Sequence, residues 1–332
     1  MQVIASGLDN PRGLNFGPDG ALYVAEAGRG GTSTICHVSP DLGTRCYGPT
    51  GAVTRITGID VHQRVLTGLP SIAQADGNMA QGPNDIDFGF GAAWIVIGYG
   101  GSPLGRQQFE AAGIRLGSLV RADGIEQWAH VLDVSDHELT NPDGTTLDTN
   151  PFGIRVLSNR ILIADAGANA LLQIGLFGQT TAIAVFPSRA VGPATIQSVP
   201  TSVIEGPDGF LYVSELTGAP FPVGAARIYR VPPGGGTPVV VASGFTNIID
   251  IAYDRNTGNG YVLEHDADGI IPPLGPGVDG RLIRIAPTGV VTVIAHEGLV
   301  KPGGVAVGPD GALYVTRRTN FAGTGDVVRI VP

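Results

Sequence analysis

The sequence predicts an all-β protein, a six-bladed β-propeller closed by its own N-terminal strand. Three observations carry that prediction. The octapeptide GPDGALYV stands at 17–24 and again, letter for letter, at 308–315, with the near copy GPDGFLYV at 206–213. Strand patterns like its LYV recur six times, 49 to 72 residues apart. The last repeat stops at DVVRIVP without a fourth strand, and QVIASGL at the other end of the chain supplies one.

Each element follows from local chemistry. In Gly17-Pro18-Asp19-Gly20, proline pre-sets the first turn position and glycine supplies a positive φ at the exit. Leu14-Asn15-Phe16 precedes the turn and Leu22-Tyr23-Val24 follows it, which is a β-hairpin signal. A lone hairpin cannot bury its apolar face, so repeated copies imply a repeat architecture. The second strands read LYV at 22–24, WIV at 94–96, ILI at 161–163, LYV at 211–213, GYV at 260–262 and LYV at 313–315. Their first strands open near Pro11, Pro83, Pro151, Pro200 and Pro302; the fifth opens at TNIIDIAYD. Outer strands follow, such as RIYRV then PVVVASGF, giving four per repeat. QVIASGLDNPRGL matches TVIAHEGLVKPGGV in pattern, so the N-terminal strand completes the last blade and hides two sheet edges. Helix is expected only as a turn or two at 106–113 and 134–140. No linker interrupts the chain, so residues 1–332 are read as one domain.

Composition agrees and narrows the function classes. The 51 glycines and 25 prolines suit many turns between short strands. Net charge is -9 and Lys301 is the single lysine, which argues against nucleic acid or an anionic membrane as partner. No apolar run reaches 18 residues, so no membrane span is expected. The chain opens directly on a strand pattern, and an export leader is expected to have been removed ahead of it. Cys36 and Cys46 stand in a Gly-rich excursion. They read either as a redox or metal pair or as a small disulfide in an oxidising compartment. The lack of Cys-x-x-Cys spacing and of a third ligand nearby favours the disulfide.

The site is expected at one end of the central channel. First-strand starts and second-strand ends share a face of the ring, because the two strands are antiparallel. That places Glu26, Asp85, Asp165, Glu215, Asp250 and Glu264 at one channel mouth with Asn84, and Arg12, His265 and Arg317 nearby. Asp85, Asp250, Arg12, His265 and Arg317 are the candidate catalytic residues. Crowded carboxylates need a cation, an arginine or a raised pKa. A divalent cation, calcium or magnesium, held by Asp85, Asp250 and Glu26 is therefore expected as cofactor, because oxygen ligands dominate. The bland reading of the same residues is an ion-pair network tying blades together. DADG at 266–269 begins like a calcium loop but continues with Ile270 and reads as a turn. GRGGTS and GYGGSP open no helix, and Gly-x-Ser-x-Gly, His-Glu-x-x-His and phosphate-loop motifs are absent.

Longer segments carry a resemblance. NPRGLNFGPDGALYVAEAGRGG, YGPTGAVTRI, GPNDIDFG, LDTNPFGI, ADAGANALLQI, VPTSVIEGPDGFLYVSELTGAPFPVGAARIYRVPPGG and GFTNIIDIAYD resemble the ScyD/ScyE family through all six repeats. The resemblance implies a bacterial protein of the periplasm or extracellular space. Named members belong to the cyanobacterial gene cluster for scytonemin, an indole–phenol pigment, and one is associated with oxidative dimerisation of its monomer. A more distant similarity is to NHL-type propellers and to calcium-dependent lactonases of the gluconolactonase and paraoxonase type. Asn84-Asp85-Ile86 matches their metal-binding strand start. Arg12, Phe152, Ile249 and Gly303 stand where the other ligands would be, and none of these side chains binds calcium. Three functions remain open at this level: an enzyme acting on a small aromatic substrate, a binding propeller without chemistry, and a metal-dependent hydrolase or lactonase. The expected partner in each is a small molecule or a protein; the oligomeric state is not legible.

Overall fold

The computed structural model, which describes residues 1–31, 35–39, 43–175, 177–270 and 279–332, explains why the octapeptide recurs. Gly17 donates its amide to the Ala21 carbonyl at 2.9 Å, and Gly20 takes φ +77°. Asp19 Oδ1 accepts the Ala21 amide at 3.2 Å. Its Oδ2 accepts the Tyr23 hydroxyl at 3.1 Å and Arg55 Nη2 at 2.6 Å. The same triad forms as Asp208, Tyr212 and Arg230, and as Asp310, Tyr314 and Arg329. The repeated phrase therefore extends to an arginine on the third strand of each of these blades.

The chain begins with β1 (Gln2–Leu8). Blade 1 is β2 (Pro11–Phe16), β3 (Leu22–Glu26), β4 (Cys36–Ser39), β5 (Gly43–Gly58) and β6 (Val61–Ala73). Blade 2 is β7 (Pro83–Gly89), β8 (Ala92–Ile97), β9 (Ser118–Gly124) and β10 (Gln127–Asp133). Between β8 and β9 a 3-10 turn (Pro103–Phe109) runs into α1 (Glu110–Gly113), and a second 3-10 turn (Val134–Thr140) follows β10. Blade 3 is β11 (Pro151–Leu157), β12 (Arg160–Asp165), β13 (Ala170–Ile174) and β14 (Thr180–Val185). A hairpin that the sequence pattern does not announce, β15 (Arg189–Val191) and β16 (Ala194–Ile196), leads to blade 4. That blade is β17 (Pro200–Glu205), β18 (Leu211–Glu215), β19 (Ala226–Val231) and β20 (Val239–Phe245). Blade 5 is β21 (Ile248–Tyr253), β22 (Gly260–Glu264), β23 (Arg281–Ile285) and β24 (Val291–Ala295). Blade 6 is β25 (Gly304–Val307), β26 (Leu313–Arg317) and β27 (Gly325–Ile330), and β1 completes it. Gln2 pairs with Arg329, Val3 with Val328 and Ser6 with Asp326 in that closing ladder.

Apolar clusters fill the spaces between neighbouring blades. Val53, Leu66, Ile86, Ile95 and Val120 join blades 1 and 2, and Leu162, Leu171, Val203, Val213 and Val231 join blades 3 and 4.

Blade 1 departs from four strands. The long β5 pairs with β3 through Ala52–Ile56 and with β6 along most of its length. Its N-terminal extension pairs with β4, where Cys36 lies directly opposite Cys46 and the two form a disulfide. Thr32 and Ser33, in the GRGGTS stretch, lie outside the described residues. Unreduced protein is expected to show no free thiol by mass spectrometry. Reduction should cost about 2–3 kcal/mol by the loop-entropy relation. Two free thiols in native protein would contradict the pairing.

Candidate site in the central channel

The inner strands β2, β7, β11, β17, β21 and β25 line the axis without a hydrogen-bonded ladder between blades. Side chains must therefore bridge them. Gly13, Asp85, Gly153, Ser202, Asp250 and Gly304 occupy matching positions on these strands. The blades approach closely at this level: a Cβ on Gly13 would lie 2.0 Å from Asp85 Oδ1 and 3.0 Å from its Cα. Glycine is required there by space.

Asp85 and Asp250 come from opposite blades and do the same thing. Asp85 Oδ1 accepts the following amide, Ile86, at 2.8 Å, and Oδ2 accepts Ile154 of the next blade at 2.9 Å. Asp250 Oδ1 accepts Ile251 at 2.8 Å, and Oδ2 accepts Val305 of the next blade at 2.8 Å. Both carboxyls face a cavity of about 160 Å³. It runs from Asp85, Ser202 and Asp250 past Asn15 and Arg155 to Glu205, Tyr253 and Arg255 at the hairpin face. Each is half-buried by area, and protein surrounds it except on the channel side. Burial raises the Asp85 carboxyl well above its usual range, and the Asp250 charge adds to this. Burial likewise pushes Asp250 up to about 6, against the Ser202 hydrogen bond and two amides that lower it. Asp87, one turn of the pleat further along, holds the wall: its Oδ1 accepts Asn15 Nδ2 at 2.7 Å and its Oδ2 lies 3.6 Å from Arg155 Nη1.

The other four expected carboxylates stand one strand further out, at second-strand ends, and do not reach this cavity. Each grips the segment that enters its own blade. Glu26 accepts the Asp9 amide at 2.7 Å and pairs with Arg64 at 2.7 Å. Glu264 accepts the Thr246 amide at 2.6 Å and pairs with Arg281 at 2.5 Å. Glu215 accepts the Ser198 and Tyr229 hydroxyls and both terminal nitrogens of Arg189. Asp165 accepts the Thr149 hydroxyl and the Asn150, Gly167 and Ala168 amides, and burial pushes it up to about 6. Blade 2 has Gly98 at this place, and the Asn84 amide crosses to the Pro151 carbonyl at 2.9 Å instead. Blade 6 reverses the polarity: Arg317 makes a two-pronged pair with Asp326 at 2.8 Å. Arg317 is thus held by its own blade and is not a counter-charge for the channel carboxylates.

Arg12 and His265 sit at the strand-start end, outside the cavity lining. Arg12 donates to the Ala80 carbonyl at 2.7 Å, its Nε is buried without a partner among the described residues, and burial lowers its pKa to about 10. His265 Nδ1 lies 2.7 Å from the Pro302 carbonyl, so that nitrogen carries the proton. Burial lowers its pKa to about 4, and the Lys301 and Arg12 charges add to this. The ring is neutral near pH 7, with Nε2 an acceptor. Lys301 itself pairs with Asp266.

The three expected metal ligands are not brought together, because Glu26 is enclosed by Arg64 and the Asp9 amide. Among the described residues, no group of three or more His, Cys, Asp and Glu side chains is placed to hold a metal ion. Asp85, Asp250 and the Ser202 hydroxyl are the oxygen groups that a hydrated cation entering the channel would meet. They are fewer than the six to eight oxygens that calcium takes, so the donors present do not by themselves complete a calcium site. No helix of the described residues is long and apolar enough to cross a membrane.

No family model matches the chain, and no curated protein matches it by sequence. Solved structures do match in three dimensions. A structural-genomics protein of unknown function from Bacteroides thetaiotaomicron aligns with TM-score 0.61 at 9% identity, over 100% of this chain and 75% of that one. The soluble aldose sugar dehydrogenase of Escherichia coli, in its apo form, aligns with TM-score 0.57 at 13% identity, over 100% and 99% of the two chains. A chain of a nidogen–laminin complex aligns with TM-score 0.52 at 15% identity, over 87% and 93%. At these identities the likeness fixes the fold: the chain is a six-bladed β-propeller.

Proposed function

We propose that the protein is an exported ScyD/ScyE-type propeller that takes a small hydroxylated aromatic molecule into its central channel and exchanges a hydroxyl proton with Asp85 and Asp250. The observation that carries this reading is the pair itself. Two carboxyls from opposite blades share a poorly solvated channel, so both resist losing their protons together. A pair in that state donates from one member and accepts at the other near neutral pH. The cavity of about 160 Å³ is close to the roughly 150 Å³ that holds one benzene ring. It suits a single phenol or indole edge and is too small for a fused dimer. Arg155 on the wall is placed to favour a phenolate. Oxidative joining of two such rings also requires an electron acceptor; the part these side chains can supply is the proton transfer.

A second reading is favoured by the amide contacts. Asp85 and Asp250 each tie two adjacent blades, which is a structural task in a propeller that binds without chemistry. The aligned folds include a dehydrogenase and a chain from a protein–protein complex, so the fold leaves the choice to experiment.

The test is an NMR titration with p-cresol and with 3-methylindole, following the Ile154 and Val305 amides that donate to the two carboxyls. Saturable shifts at both amides are expected, strongly reduced in the Asp85→Asn, Asp250→Asn double variant. Absence of shifts in the native protein, or equal binding by the double variant, would overturn the channel reading.

A further inference from the structure

A second polar site lies away from the channel, in the segment between β10 and β11. We propose that this segment binds a hydrated divalent cation, calcium or magnesium, through the Glu138 carboxylate and the Asn141 side-chain oxygen.

Glu138 is 1% exposed, yet it is poorly satisfied. Its Oε1 accepts a long bond from the Asp148 amide, 3.3 Å. Its Oε2 is buried and has no hydrogen-bond partner among the described residues. Asn141 closes the same 3-10 turn in a left-handed conformation, φ 47°, with its amide bonded to the Glu138 carbonyl at 2.8 Å. Asn141 Nδ2 donates to the Thr145 carbonyl at 2.9 Å, while Oδ1 is buried without a partner among the described residues. Both side chains reach the 145–148 segment, Glu138 through the Asp148 amide and Asn141 through the Thr145 carbonyl, so the two orphaned oxygen acceptors belong to one loop.

The charge around them is one-sided. Asp165, Asp143 and Asp148 all lie near enough for their negative charge to act on Glu138. Among the described residues, Glu138, Asp143 and Asp165 make no ion pair. Arg106, anchored on the neighbouring turn, pairs instead with Asp133 and Asp136. A buried acceptor without a donor is costly, and a buried carboxylate more so. A hard cation satisfies both orphaned oxygens and lowers the field of the three nearby carboxylates. With two protein oxygens, the ion keeps most of its water. Asp143, Asp148 and Asp165 act through the field and not as ligands, in keeping with the lack of a three-carboxylate cluster.

The test is calorimetric titration of chelator-stripped protein with calcium chloride, then with magnesium chloride. One cation per chain is expected, with a melting temperature that rises with its concentration by mass action. Glu138→Gln and Asn141→Gly should each weaken binding by about tenfold or more. Glycine keeps the left-handed backbone at 141, so this variant decides the matter if Glu138→Gln fails to fold. Asp85→Asn with Asp250→Asn should leave this binding unchanged, which separates it from the channel. No binding by native protein, or binding undiminished in Asn141→Gly, overturns the proposal.

Discussion

Glu215→Ala is expected to lower the unfolding free energy by about 3–5 kcal/mol, the range for breaking a buried ion pair from one side. The Glu215 side chain is 0% exposed and that of Arg189 13%. The carboxylate takes Arg189 Nη1 at 2.9 Å, the Ser198 hydroxyl at 2.5 Å and the Tyr229 hydroxyl at 2.9 Å. Alanine would leave three buried donors unpaired and a cavity beside them. Arg189 begins the β15–β16 hairpin, so that hairpin should lose amide protection first. Arg55→Ala is the natural comparison. Its pair with Asp19 is 32% and 39% exposed and should be worth no more than about 1 kcal/mol. Urea denaturation of both variants measures the contrast. A loss below about 1 kcal/mol for Glu215→Ala would show that the second-strand carboxylates do not hold the blades.

Those carboxylates also show what was legible in the sequence. The hairpins, the six repeats and the closing strand could be read because each is encoded within a dozen or so neighbouring residues. Gly-Pro-Asp-Gly specifies its turn, alternating apolar residues specify each strand, and QVIASGL carries the pattern of a fourth strand. Asp85 and Asp250 were also readable, since a first-strand position fixes which side chains face the axis. The role of Glu26, Glu215 and Glu264 was not. Their arginine partners Arg64, Arg189 and Arg281 come from a fourth strand, an unannounced hairpin and a third strand, respectively. No common spacing links the pairs. Alignment put all six carboxylates at one mouth because it fixes height along the axis but not distance from it. One pairing signal does lie in the sequence. An arginine recurs in the third strands TRI, YRV and VRI, and it is the partner of the turn aspartate in those three blades.

The largest pH effect should come from the channel pair, and its sign is opposite to that of an ordinary salt-bridged carboxylate. The Asp250 carboxyl titrates near 6 in the folded protein because burial disfavours its charge, against about 3.9 in an unfolded chain. Below pH 4 both states hold the proton and the residue contributes nothing to pH dependence. Between pH 4 and 6 the unfolded chain releases the proton while the folded protein keeps it. The folded state then binds more protons, so stability falls as pH rises. Two pH units correspond to at most about 3 kcal/mol, reached above pH 6, and channel water reduces it. Asp85 shifts in the same direction, so it adds to the fall. Asp250→Asn removes the Asp250 share of that slope. It also sets an NH2 group against the Ile251 or Val305 amide, costing about 1–3 kcal/mol at every pH. The variant is therefore expected to be clearly less stable than native protein at pH 4 and to close most of that gap by pH 7. Denaturant midpoints across pH 4 to 8 measure this. Parallel curves for the two proteins would mean that Asp250 loses its proton as readily in the channel as in water, and the acid–base role of the pair would fall with it.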